Sequence, residues 1–349
     1  MADRPRLQSL IFEVTQQCNH ACLHCYNVWH GEAVSYQLSA VSRPGLPALL
    51  DRALDQTGCR HVTLTGGEPL LCPDLPALLD RLTERRVGST IITNGRLLDG
   101  ERAADLLERG AGLFELPLLS HRREVHDRLS GAPGAFDAAV AAISHLRALS
   151  GPFVAVFVAT RLNLPDLEGA LKLAYALGAR AVMFNRFNPG GRGRAHLDLL
   201  PTAAELRAAL AVADAAAVEY GLPIACSIPI QPCLIDLAAY PRLHFGFCAA
   251  GTERAYYTLD WLGNVRPCNH TSTVLGNLWD RPFWEMATGE TMAAFAAATP
   301  PVCAPCPRRA ECQGGCKAAA EVCYGSLTEE EPFLRKEGLP TVRLEARCR

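Results

Sequence analysis

Cys18-Asn19-His20-Ala21-Cys22-Leu23-His24-Cys25 follows the apolar run Leu10-Ile11-Phe12-Glu13-Val14. The run reads as a buried strand, and the residues after it as the loop at its C-terminal end. The C-x3-C-x2-C spacing puts three soft thiolate donors into that loop, a set suited to iron or zinc. A four-iron cluster has four corners, so three thiolates leave one iron without a protein ligand. An open coordination position separates catalytic metal sites from sealed structural ones. A second signal, Thr65-Gly66-Gly67-Glu68-Pro69, stands directly after the apolar run Val62-Thr63-Leu64. Three Cys alone also fit a zinc knuckle, but a knuckle gives no reason for a Gly-Gly-Glu-Pro turn after the second strand.

Outward from these two signals, short apolar runs alternate with longer amphipathic ones from Leu7 to about Pro201. Strands are expected at Ser9-Val14, His61-Thr65, Ser89-Thr93, Gly112-Leu116, Phe153-Thr160 and Ala181-Asn185. Helices are expected at Gly45-Leu54, Leu75-Arg85, Gly100-Arg109, Ala135-Leu149 and Leu167-Leu177. Apolar residues there recur at three and four spacing, as in Leu75, Leu78, Leu79 and Leu82. Repeated strand–helix units imply a parallel sheet with right-handed crossovers. Periodicity alone does not choose between a partial barrel and a doubly wound sheet. The expected organisation is a core over 1–200, a bridge over 201–245, a Cys-rich region over 246–326 and a tail over 327–349. In the bridge, Thr202-Ala203-Ala204-Glu205 suits a helix start, and the stretch after Gly221 holds Pro223, Pro229, Pro232 and Pro241. The tail, with Glu329-Glu330-Glu331, reads as solvated.

The 349 residues carry a net charge of -2, which favours neither nucleic acid nor anionic membrane. No stretch approaches the ~20 apolar residues of a membrane span, and no signal peptide is legible. A cytoplasmic protein is expected, and 15 Cys in a reducing compartment argue for metal ligation over disulfides.

The C-x3-C-x2-C loop and the Gly-Gly-Glu-Pro turn together resemble the radical S-adenosylmethionine (SAM) enzymes. A second field, Cys248, Cys268, Cys303, Cys306, Cys312, Cys316 and Cys323, with Gly263 five residues before Cys268, resembles the SPASM domain of radical SAM maturases. The resemblance implies a partial (β/α)6 TIM-type barrel followed by a loop-rich SPASM domain. It implies three [4Fe-4S] clusters, one binding SAM and two auxiliary. Cys18, Cys22 and Cys25 would hold the first. Cys303, Cys306, Cys312 and Cys323 would complete one auxiliary cluster. Cys248, Cys268 and Cys316 would hold the other, its fourth corner open or filled by Cys226 or Cys233. SAM contacts are expected from Tyr26, Gly66, Gly67, Glu68, Pro69, Asn94, Glu115, Arg161 and Asn163. Many members carry Ser-Leu-Asp-Gly on strand four, whereas this chain reads Leu116-Pro117-Leu118-Leu119-Ser120 before His126-Asp127.

The implied reaction is reductive cleavage of SAM to a 5′-deoxyadenosyl radical that takes hydrogen from a substrate carbon. The expected setting is maturation of a ribosomally made peptide, with ferredoxin or flavodoxin as reductant. Cys18 comes so early that a separate protein is expected to present the peptide. The alternative is a sugar or tetrapyrrole dehydrogenase or epimerase, with Cys226 or Cys233 as catalytic hydrogen donor. A ferredoxin-type electron carrier would explain neither the Gly-Gly-Glu-Pro turn nor the repeated strand–helix units. Cys59, Cys72 and Cys348 read as incidental.

Overall fold

The computed structural model describes residues 6–29 and 45–337. Six strands run parallel and in chain order: β1 (Leu10–Thr15), β2 (His61–Gly66), β3 (Gly88–Ile92), β4 (Leu113–Pro117), β5 (Phe153–Ala159) and β6 (Ala181–Arg186). Each expected strand is present within a residue or two. The crossovers carry α1 (Leu46–Thr57), α2 (Leu75–Glu84), α3 (Gly100–Glu108), α4 (Arg123–Ser130), α5 (Ala135–Ala148) and α6 (Leu167–Ala176). On β5 the residues Phe153, Ala155, Phe157 and Ala159 are buried, while Val154, Val156 and Val158 are half-buried. This period of two seats one face of the strand against the helix layer and turns the other to the barrel interior.

The sheet does not stop at six strands. Beyond β6 it gains β7 (Ile224–Cys226) and β8 (Leu243–Phe245), both parallel, after helix α7 (Ala203–Tyr220). Thr202 and Glu205 form the expected capping box at the start of α7. On the other side, β9 (Tyr257–Asp260) pairs in parallel with β1, Leu10 opposite Tyr257. β10 (Asn264–Arg266) and β11 (Gly276–Asn277) then follow antiparallel. One open sheet of 11 strands results, with β1 between β2 and β9. Arg266 on β10 makes a fully buried ion pair with Glu13 on β1. The partial barrel and the Cys-rich region therefore share one sheet.

Helices α8 (Phe283–Ala287), α9 (Glu290–Ala297), α10 (Arg309–Cys312), α11 (Lys317–Tyr324) and α12 (Pro332–Lys336) complete the described chain. The segment read as a solvated tail departs from that expectation. Glu331 is 1% exposed and ion-paired with Arg186, and Phe333 and Leu334 are buried. The apolar residues after the acidic run explain the reversal: α12 packs Phe333 against the Arg186 guanidinium at 4.9 Å. Among the described residues no helix is long and apolar enough to cross a membrane. Cys59 and Cys72 sit in the hydrophobic core, and Cys348 lies outside the described residues.

Candidate metal centres

The first Cys loop leaves the C-terminal end of β1 and is held from three sides. Ala21 and Leu23 donate backbone hydrogen bonds to Ser130 (3.3 Å) and Leu129 (2.9 Å), at the end of α4. The Gly67 and Glu68 amides donate to the carbonyls of Thr15 and Gln17, both at 2.7 Å. Gly193 donates to the Cys25 carbonyl at 3.0 Å. Gly66 has φ 135°, and a Cβ on Gly66 or Gly67 would collide with the Thr15 or Gln17 carbonyl oxygen. The glycines thus let the second-strand turn lie against the Cys loop. Burial, with Cys25 and Cys18 close by, pushes the Cys22 thiol up to about 12, and burial raises Cys18 and Cys25 as well; Arg192 acts against this on all three. Metal binding there must displace protons.

Glu68 is 1% exposed, and its carboxylate accepts hydrogen bonds from Leu70 N (3.0 Å), Thr93 Oγ1 (2.6 Å) and Asn94 N (2.8 Å). It ties the end of β2 to the end of β3, and Pro69 opens the short turn that follows. Asn94 Nδ2 reaches Asn19 Oδ1 in the Cys loop at 2.7 Å. Glu115, on β4, has its carboxyl raised by burial. It lies level with Ile92 and Val154 on neighbouring strands, on the half-buried interior face. Tyr26 packs against His270 at 4.3 Å between ring centroids, so this aromatic bridges the first Cys loop to the second Cys field. His126 and Asp127 belong to α4. Asp127 accepts from Gly134 N and Phe136 N at the start of α5, which steadies the helix end that pins the Cys loop.

Two expected SAM contacts are spent elsewhere. Arg161 pairs with Glu205 at 3.1 Å, at the start of α7. Asn163 accepts from Thr160 and donates to the carbonyls of Leu119 and Val158. Its amide is saturated within the turn after β5, as the turn chemistry of Asn favours.

The second Cys field divides between two cavities. One is lined by Cys248, Cys268 and Cys316, with Tyr256 and His270 beside them. Asn188, in the loop after β6, donates toward Cys316 Sγ at 3.3 Å and contacts His270 Nδ1 at 3.2 Å. Burial, with Arg186 and Arg266 near, lowers His270 to about 4, so its ring is neutral. The other cavity is lined by Cys303, Cys306 and Cys312 together with Cys233. Neither Cys226 nor Cys233 reaches the first cavity. Cys226 lies in the hydrophobic core on β7, two residues from the fully buried Ile224. Cys323 does not line the second cavity; its thiol faces the Pro189 carbonyl at 3.8 Å. The Asn188 contacts and the interior place of Glu331 escape sequence reading, since nothing local marks their partners.

None of the described cysteines is in a disulfide. Among the described residues no three His, Cys, Asp or Glu close on one point as ligands of a single ion would. Thiols spread around cavities suit a larger inorganic group, and an all-thiol donor set suits iron–sulfur ligation.

An α/β sheet bearing thiol clusters at its strand ends defines an iron–sulfur protein on a barrel scaffold. Residues 12–174 match the radical SAM superfamily, and residues 248–312 match the SPASM iron-sulfur cluster-binding domain. The chain belongs to the radical SAM superfamily and is an enzyme with a C-terminal SPASM domain. It is 28% identical to the AdoMet-dependent heme synthase of Oleidesulfovibrio alaskensis, over 94% of this chain and 87% of that one. It is 27% identical to the PqqA peptide cyclase of Xanthomonas campestris, over 96% and 89%. Streptococcus suis SuiB bound to S-adenosylmethionine superposes with a TM-score of 0.71 at 16% identity, covering 94% of this chain and 76% of that one. The structure of anSMEcpe with bound AdoMet gives 0.69 at 18%, covering 95% and 92%. The structures share the fold.

Proposed function

We propose that this enzyme reductively cleaves SAM and abstracts hydrogen from a carbon of a ribosomally made peptide. The contact of the loop that carries Cys18, Cys22 and Cys25 with the Gly66–Pro69 turn carries this reading. An iron–sulfur cluster and SAM, when bound, supply the low-potential electron and the hydrogen-abstracting radical. The chain holds and aims them. Cys18, Cys22 and Cys25 supply three thiolates, leaving one iron corner for SAM. Arg192 offsets part of their negative charge. The Gly66–Pro69 turn and Asn94, both fastened through Glu68, would offer SAM backbone and amide groups beside the Cys loop. Glu115 offers the interior of the barrel a carboxyl that burial favours in its protonated form. Tyr26 and His270 close the space between this centre and the auxiliary one.

The similarity to PqqA peptide cyclase over 96% of this chain supports a peptide substrate. To this reading belong a ferredoxin or flavodoxin as reductant, a cytoplasmic setting and a separate presenting protein. The equal reach of the similarity to AdoMet-dependent heme synthase supports a second reading, a tetrapyrrole substrate. Anaerobic reconstitution should give about twelve irons, four for each of three clusters. With dithionite and SAM the protein should release 5′-deoxyadenosine, and the Cys18, Cys22, Cys25 triple Ala variant should release none. Release by that variant would overturn the assignment. Which substrate accelerates release, a precursor peptide or a haem precursor, separates the two readings.

A further inference from the structure

We propose that the second auxiliary cluster is held by Cys233, Cys303, Cys306 and Cys312, and that Cys323 is not a ligand. The inference rests on reading the Cys field as iron–sulfur ligation. The fourth thiol then comes from the Pro-rich bridge, outside the residues that match the SPASM domain.

These four residues line one cavity, and the rest of its wall is short of other metal donors: Gln231, Pro232, Gly314 and Leu334, with Arg308 and Arg309 at its edge.

Cys233 is fixed there by local structure. It sits in a turn closed by Leu234 N to Gln231 O (2.9 Å) and Ile235 N to Gln231 O (3.2 Å). Upstream, Arg186 Nε donates to the Pro229 carbonyl at 2.6 Å. The Gln231 side chain donates to Glu331 and lies 3.5 Å from the Gly314 carbonyl, two residues past Cys312. Gly315 has φ 95°, and a Cβ there would collide with the Gln231 amide. The bridge turn and the Cys312–Cys316 turn are therefore built to lie in contact.

Cys323 is carried away by its helix. Cys316 is the N-cap of α11 and Cys323 lies near its end. Seven residues of helix rise about 10 Å, and positions seven apart share a face. Both thiols therefore run along the loop after β6, Cys316 at Asn188 and Cys323 at Pro189.

The test compares Cys233→Ala and Cys323→Ala after anaerobic reconstitution, by iron and sulfide content and Mössbauer spectra. Cys233→Ala should lose up to about four irons or show a three-iron signal, and Cys323→Ala should keep the parent content. The reverse pattern overturns the inference. A readout that does not depend on the variants' folding is alkylation of the loaded parent followed by peptide mapping. Cys233 should be protected and Cys323 labelled; equal labelling of the two overturns the inference. A parent holding only about four irons would instead bring down the auxiliary-cluster reading itself, and the two failures are thereby distinct.

Discussion

Glu68 shows what a single side chain organises in this enzyme. Its carboxylate accepts from three donors on two strands' ends. Glu68→Gln keeps the shape but turns an amide NH2 toward a backbone N–H, of Leu70 or of Asn94, that only donates. One buried group left unsatisfied costs about 1–3 kcal/mol, so the melting midpoint should fall by several degrees; an unchanged midpoint would refute the role. Gly67 is a second such point. Gly67→Ala drives a Cβ into the Gln17 carbonyl, one residue before Cys18. The variant should lose about four irons, those of the first cluster, with the auxiliary content kept; full iron retention would show that the loop tolerates displacement. The thiols and glycines of this site are legible in the sequence because they act through local spacing. Arg161 and Asn163 are not, because what decides their roles is Glu205 and Leu119, each more than 40 positions away in the chain.

At the scale of elements, the strand–helix units of the barrel are legible from period two and period 3.6 patterns, while β7 to β11 are not. Each of those five strands has two to four residues, too few for a pattern to form. Helix α4 escapes notice for another reason: Arg123, Glu124, Asp127 and Arg128 leave it a narrow apolar stripe. The short α12 escapes because its first anchor is the charged Glu331. That carboxylate meets Arg186, Gln231 and the Cys316 amide together. Removing one partner of a buried pair costs about 3–5 kcal/mol. Glu331→Ala should therefore lower the midpoint sharply and reduce auxiliary iron, since both cavities lean on this carboxylate. The double variant Arg186→Met, Glu331→Leu should recover part of the midpoint, because no uncompensated charge stays buried. A single variant as stable as the parent would show the pair to be dispensable.

For the whole molecule, the decisive fact is that β1 lies between β2 and β9. A chain ending at residue 247 would expose β1 as a bare edge and leave Glu13 without Arg266. Exposed edges pair with other chains, so this fragment should form aggregates on size exclusion. A soluble monomeric fragment with a bound cluster would show the two regions to be independent. The family resemblance implied a barrel followed by a second domain; that the second region extends the sheet of the first is a matter of register, and register is not written in composition or motif.

The same pairing sets an order of events at the ribosome. β1 emerges long before one of its two neighbours, since the strand opposite Leu10 begins at Tyr257. At roughly 5–20 residues per second, synthesis leaves that edge without its second neighbour for tens of seconds. Over that interval the Cys18–Cys25 loop is already made, while Cys248 and the thiols after it have yet to be translated. The nascent chain thus needs protection at β1, and can accept iron at its first Cys loop, well before its second Cys field exists.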